Sequence, residues 1–161
     1  MNYKKVPILG MFISLALIMS YIESILPISI GIPGAKIGLA NIVIIIALYK
    51  AGAKEACFIS VIRIILSGFL FGNMFSIVYS IMGAVFSLAA MIFLKKKTDF
   101  SVYGISMIGA VMHNAGQTAA AILVLENTAL ISYLPVLVVV GTITGILIGM
   151  VSANIIKHLP V

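Results

Sequence analysis

Long apolar segments separated by short polar ones constrain this chain more than any other feature. Residues 6–26 contain a single charged side chain, Glu23, and similar apolar runs recur along all 161 residues. About 20 apolar residues in a helix cross the hydrocarbon core of a bilayer. Soluble domains carry charge on about a quarter of their residues, whereas this chain carries it on 9%. We therefore expect an all-α integral membrane protein with one transmembrane domain, residues 1–161.

Proline, glycine and lysine divide the chain into six predicted helices, which would form a six-transmembrane-helix bundle. Their ranges are 6–26, 36–50, 55–72, 74–94, 102–125 and 134–156. The second helix is too short to cross the membrane upright. The loop before it, residues 27–35, is rich in glycine and proline, and we expect it to fold into the membrane boundary. A short helix beside such a loop is typical of transporter binding sites, and the loop is a candidate lid.

The lysines indicate an orientation. With the amino terminus in the cytoplasm, six crossings put only Lys36 on the outer side. The inner side then holds Lys4, Lys5, Lys50, Lys54, Lys95, Lys96, Lys97 and Lys157. This asymmetry follows the positive-inside rule, so we predict that both termini are cytoplasmic. The net charge of +6 is then a topology signal, and we expect no nucleic-acid partner.

Arg63 lies at the middle of the third predicted helix, with apolar residues for a full turn on either side. A guanidinium at that depth is energetically costly, so it must face the protein interior, a watery cavity or a counter-charge. Two interpretations stay open. Arg63 either binds a ligand or pairs structurally with a glutamate on a neighbouring helix, for which Glu23 is the candidate.

Arg63 and several other polar side chains are predicted to lie in the outer half of the bilayer. The motif HNAGQ at 113–117 places several hydrogen-bonding groups at membrane depth. Each group also has a structural alternative, because lysine can extend to the headgroups and amides can join helices by hydrogen bonds. We predict an outward-facing pocket in which Phe69 and Phe71 add apolar contact. Its candidate substrate-binding residues are Glu23, Lys36, Asn41, Arg63, Asn73, His113, Asn114 and Gln117.

Several patterns are absent from the sequence. It has no Walker A or HExxH motif and a single cysteine, Cys57. Chemistry on a diphosphate usually needs magnesium held by several carboxylates, and the four acidic residues are scattered. We therefore expect no catalytic residue, no metal site and no cofactor. Gly141, Gly145 and Gly149 recur at every fourth position and predict a close-packing helix face, either within the chain or against a partner.

Three motifs in this order carry a family resemblance: PGAKIGLAN at 33–41, RIILSGFLFG at 63–72 and HNAGQ at 113–117. Together they resemble the heptaprenyl diphosphate synthase component I family, also termed the Gx transporter family. That family is similar to the substrate-binding S components of energy-coupling factor (ECF) transporters. The resemblance implies an S-component-like bundle in a bacterial plasma membrane, with a ligand site near the outer face.

The resemblance implies one of two functions. The first is a substrate-binding subunit of an ECF uptake transporter for a vitamin-like solute. Its partners would be separate ATPase and transmembrane coupling subunits. The predicted pocket indicates that this solute is small and anionic or zwitterionic, because Arg63, Lys36 and the positive end of helix 2 are opposed by Glu23 alone. The second is a membrane accessory subunit that partners a polyprenyl diphosphate synthase in isoprenoid synthesis, although the aspartate-rich motifs of such synthases are absent. S components often dock through small residues on helix 1, for which the nearest matches are Gly10/Ser14 and Ala16/Ser20.

Overall fold

The computed structural model describes residues 5–26 and 37–159, and these contain helices and no strand. The expected all-α class is confirmed for this part of the chain. Loop 27–35 and Lys36, predicted as a lid and a ligand contact, lie outside the described residues. The helices are α1 (Lys5–Ile25), α2 (Leu39–Lys50), α3 (Ala53–Phe71), α4 (Met74–Lys97), α5 (Val102–Leu125), a 3-10 helix (Thr128–Tyr133) and α6 (Leu134–His158).

Four helical segments of the described chain are long and apolar enough to cross a membrane. They are α1, α4, α5, and α6 together with the preceding 3-10 helix. In contrast, α2 has only 12 residues, and α3 carries Lys54, Glu55 and Arg63 within its 19 residues. These lengths and compositions indicate a membrane protein. The count of six crossings and the cytoplasmic placement of both termini stay predictions.

Local backbone and capping interactions explain where the helices begin and end. Gly38 adopts a left-handed conformation, with φ +82°, so α2 begins at Leu39 rather than at the predicted residue 36. Asn73 caps α4, since its side chain accepts a hydrogen bond from the Ser76 backbone N–H at 2.8 Å. At its other end, α4 continues three residues past its predicted limit to Lys97, because lysine favours helix.

The short helix α2 lies at the centre of the bundle. Its residues from Val43 to Leu48 are all at most 3% exposed, and α1, α3 and α6 pack against it. A helix that is apolar on every side is stable only when it is surrounded. The main core therefore forms around α2, with Phe12 and Ala16 of α1 and Ile59 of α3 packed against it.

The glycines of α6 pack against α5 within the same chain. A Cβ atom on Gly145 would lie 2.7 Å from Met107 Cα, and one on Gly149 would lie 2.9 Å from Tyr103 Cα. The two backbones can approach this closely only because glycine has no side chain. Of the two alternatives left open by the sequence, the structure therefore shows the intramolecular one.

The final residues of α2 make contacts with α4 and with the end of α6. Lys95 Nζ donates a hydrogen bond to the Leu48 carbonyl oxygen at 2.7 Å and lies 4.6 Å from the centroid of the Tyr49 ring. Lys50 Nζ donates to the Leu159 carbonyl oxygen, also at 2.7 Å. We call this part of the bundle the lysine end; it also includes Lys54, Lys96, Lys97 and Lys157. Its cytoplasmic location stays a prediction.

Candidate functional site

A cavity of about 430 Å³ opens at the end of the bundle opposite the lysine end. The last turns of α1 and α3, the first turns of α2 and α4, and the middle of α5 surround it. Its volume lies within the range of about 300–1,000 Å³ that is usual for small-molecule sites. The polar side chains that line it are Ser20, Glu23, Ser24, Asn41, Arg63, Ser67, Ser76, Ser80, His113, Asn114, Gln117 and Thr144.

The cavity brings together most of the residues that the sequence singled out. Those lining it are Glu23, Asn41, Arg63, His113, Asn114 and Gln117. Asn73 does not line it, and its side chain is engaged in the cap of α4. We therefore leave Asn73 out of the candidate site. Of the two phenylalanines, Phe71 lines the cavity, whereas Phe69 is 69% exposed and points elsewhere.

Arg63 supplies unused hydrogen-bond donors to this cavity. It lies eight residues before the end of α3 at Phe71, which is about 12 Å along the helix axis. Its Nε atom is buried and has no hydrogen-bond partner in residues 5–26 or 37–159. The terminal nitrogens likewise make no hydrogen bond within the described part of the chain. A guanidinium carries five N–H donors, so Arg63 can bind an acceptor that enters the cavity.

Glu23 faces the same cavity from α1. Its Oε1 accepts a hydrogen bond from the Gly38 backbone N–H at 2.5 Å, which joins the end of α1 to the start of α2. Among the described residues, Glu23 and Arg63 form no ion pair with each other, although their charges attract across the shared cavity. The direct structural pair that was one interpretation of Arg63 is therefore not present in this structure.

The three amide side chains divide into two kinds. Asn114 Nδ2 donates to the Leu137 carbonyl oxygen at 2.8 Å and so joins α5 to α6, which is the structural alternative for this residue. The side chains of Asn41 and Gln117 make no hydrogen bond to any described residue. Their hydrogen-bonding groups are available to a ligand.

Close packing of α4 against α5 fixes the position of the HNAGQ motif. A Cβ atom on Gly83 would lie 2.9 Å from both Gln117 Cγ and His113 Cε1. One on Gly116 would lie 2.7 Å from the Met82 carbonyl oxygen. Because these glycines let the two helices touch, the side chains of His113 and Gln117 are held beside α4 at the wall of the cavity.

Hydroxyl groups in the lining were missed by the sequence reasoning. Helical serine and threonine commonly bond their own backbone, as Ser67 does to the Ile64 carbonyl oxygen at 3.2 Å, so their presence gave little signal. Ser20 differs, because its buried Oγ makes no hydrogen bond to any residue that the structure describes. Its position one turn before Glu23 on the same face of α1 could have identified it.

A second, smaller cavity of about 20 Å³ continues from the first toward the lysine end. Asn41 lines both cavities, and Ser87 and Ser106 add hydroxyl groups to the smaller one. Its volume suffices for about one water molecule. Asn41 therefore lies between the large cavity and a small, mainly apolar space of about the size of one water molecule.

The whole cavity lies within a segment that matches a known family. The family model described as heptaprenyl diphosphate synthase component I matches residues 12–155. The chain belongs to this family. Searches of the curated proteins and of the solved structures found no match. In this member of the heptaprenyl diphosphate synthase component I family, the cavity lining runs from Ser20 to Thr144, so the family segment includes the candidate site in full.

Proposed function

We propose that this chain is the substrate-capturing membrane subunit of an ECF-type uptake transporter. It binds a small anionic or zwitterionic solute and takes its energy from separate ATPase and transmembrane coupling subunits. The observation that carries the proposal is Arg63, which lines a cavity of about 430 Å³ and whose buried Nε has no hydrogen-bond partner among the described residues. A cation in apolar surroundings needs an acceptor, and a ligand carboxylate or phosphate supplies one.

The other groups of the cavity support binding of a compact polar solute. Asn41 and Gln117 offer amide groups that bond no described residue, and Phe71 offers an apolar surface. Arginine binds a carboxylate through two parallel hydrogen bonds, which gives orientation as well as affinity. The ligand would thus be held by its charged group at Arg63 and oriented by the amides.

The location of the cavity favours uptake from outside the cell. It opens at the end of the bundle that is poor in lysine, and the positive-inside rule assigns that end to the outer face. Segment 27–35, the proposed lid, joins α1 to α2 in the sequence, and the described ends of these two helices line the cavity.

The surface of α1 that faces away from the bundle carries one pair of small residues that a coupling subunit could contact. Gly10 and Ser14 are exposed, and a Cβ on Gly10 would meet nothing within 4 Å. The second pair faces inward, since Ala16 is fully buried and Ser20 lines the cavity. We therefore propose that Gly10/Ser14 contacts the coupling subunit.

Co-purification tests the proposed function directly. The affinity-tagged chain, extracted from its native membrane under mild conditions, should retain an ABC-type ATPase pair and a transmembrane coupling protein. The variant Gly10→Leu should lose these partners while retaining the bound solute. Recovery of a prenyl synthase without any ATPase would contradict the proposal.

The second candidate function is a membrane accessory subunit of a polyprenyl diphosphate synthase, and the description of the matched family favours it. A diphosphate group could accept hydrogen bonds from Arg63. A long prenyl chain, however, would need an extended apolar lining, whereas this cavity is lined by hydroxyl, amide and charged groups over much of its wall. Binding of heptaprenyl diphosphate to the purified chain, lost in Arg63→Ala, would support this candidate.

A further inference from the structure

Two opposite charges share the large cavity without touching each other. Arg63 comes from α3 and Glu23 from α1, and these two helices pack against each other. The described structure contains no ion pair between them, although their charges attract each other. Unpaired charges are costly away from water. The space between the two groups is therefore suited to a molecule that can satisfy both.

The two charged groups occupy different positions along the cavity. Glu23 is held toward the start of α2 because its Oε1 accepts the Gly38 N–H. Its second carboxylate oxygen has no partner among the described residues. Arg63 lies deeper along α3, with its Nε buried. The cavity thus presents an acceptor near the entrance and a set of donors farther in.

On the basis of the proposed function, we propose that the solute is a small zwitterion, with its carboxylate on Arg63 and its ammonium on Glu23. A simple anion would bind Arg63 but would be repelled by Glu23, which would then have no counter-charge among the described residues. A simple cation would bind Glu23 but would be repelled by Arg63. Only a molecule with both charges neutralises both groups, so the pair selects against solutes that carry one charge.

Three matched pools of probes test this inference on the full chain in lipid nanodiscs. The first pool contains the common α-amino acids whose side chains carry no charge, the second their N-acetyl derivatives and the third their carboxamides. The second pool lacks the ammonium group and the third lacks the carboxylate. We expect the first pool to raise the melting temperature of the wild-type protein and the two blocked pools to leave it unchanged.

The variant Glu23→Gln isolates the role of the negative charge. Glutamine keeps an oxygen that can accept from the Gly38 N–H, so the link between α1 and α2 is retained. We expect affinity for the free amino acids to fall by about tenfold to a hundredfold, the range for loss of a charge-assisted hydrogen bond. Discrimination against the N-acetyl pool should fall with it. Glu126→Gln removes an exposed negative charge after α5, at the same end of the bundle, and should change neither result.

Failure of this inference can be distinguished from failure of the proposed function. Equal stabilisation of the wild-type protein by the free and N-acetylated pools would overturn the zwitterion. The zwitterion would also be overturned if no pool stabilised the protein while native mass spectrometry detected another bound solute. In that case, solute capture itself would stand. Absence of any bound solute together with absence of an ATPase pair would overturn both.

Discussion

The hydroxyl group of Ser106 donates a hydrogen bond to the Gly145 carbonyl oxygen at 2.7 Å. This bond crosses from α5 to α6 at the level where the two backbones are closest. A Cβ on Gly145 would lie 2.7 Å from Met107 Cα, which is shorter than a normal contact. The hydrogen bond and the glycine together fix the distance between the two helices, and α5 in turn positions the HNAGQ motif at the cavity.

Replacing this glycine should destabilise the bundle. Gly145→Ala forces a methyl group against the α5 backbone, and overpacking of this kind costs about 1–3 kcal/mol. We expect a lower free energy of unfolding in detergent micelles. Gly10→Ala is the matched control, because a Cβ there meets nothing within 4 Å. Equal stability of the two variants would contradict the packing of α6 on α5.

Asn114 should contribute to stability, whereas Gln117 should contribute to ligand binding. Asn114→Ala removes the bond to the Leu137 carbonyl oxygen and should lower stability by about 0.6 kcal/mol, the average for interhelical hydrogen bonds in membranes. Gln117→Ala removes no hydrogen bond to a described residue and should leave stability near that of the wild type but weaken ligand binding. Thermal unfolding and ligand occupancy, measured on both variants, check the difference. Loss of stability in Gln117→Ala alone would reverse the assignment.

Lys95 should stabilise the end of α2. Its ammonium bonds the Leu48 carbonyl oxygen and lies over the Tyr49 ring. Lys95→Met keeps much of the side-chain length but removes both interactions, so we expect a loss of about 1 kcal/mol of stability. Faster amide hydrogen exchange in the last turn of α2 should accompany it. Lys96→Met is the control, because Lys96 is exposed at the neighbouring position. An equal loss of stability in this variant would indicate a general charge effect and contradict the specific contacts of Lys95.

The predicted orientation can be tested by cysteine labelling. The native Cys57 is first replaced by alanine, and single cysteines are then introduced at Asn127 and at Lys96. A membrane-impermeant maleimide should label position 127 in intact cells and position 96 only after the cells are opened. The opposite pattern would overturn the cytoplasmic assignment of the lysine end and the outward-facing cavity with it.

Part of this structure could be predicted from hydropathy and helix-breaking residues alone. The predicted range of the fifth helix, 102–125, is the observed one, because polar and turn-forming residues flank a long apolar run. Arg63 was identifiable because a charge within an apolar helix needs an interior environment. The positions of Glu23 and Gln117 at the cavity followed from counting helical turns from the predicted ends.

Other features depend on tertiary geometry that the sequence does not specify. The start of α2 depends on the left-handed conformation of Gly38, and the sequence does not specify it because glycine also adopts helical dihedral angles. Asn114 and Gln117 stand one turn apart, yet only Asn114 reaches the α6 backbone. Ser20 and Ser80 line the cavity, although serine in a helix usually bonds its own backbone. Distances between helices decide each of these cases.

Ligand occupancy in Arg63 variants tests the central claim most directly. The wild-type protein, Arg63→Lys and Arg63→Ala are released from nanodiscs and compared by native mass spectrometry, and their thermal unfolding is measured in parallel. We predict a bound small molecule in the wild type and reduced occupancy in Arg63→Lys, which keeps the charge but loses the two-pronged contact. Arg63→Ala should carry no ligand while remaining folded. A folded Arg63→Ala protein with wild-type occupancy would contradict the account.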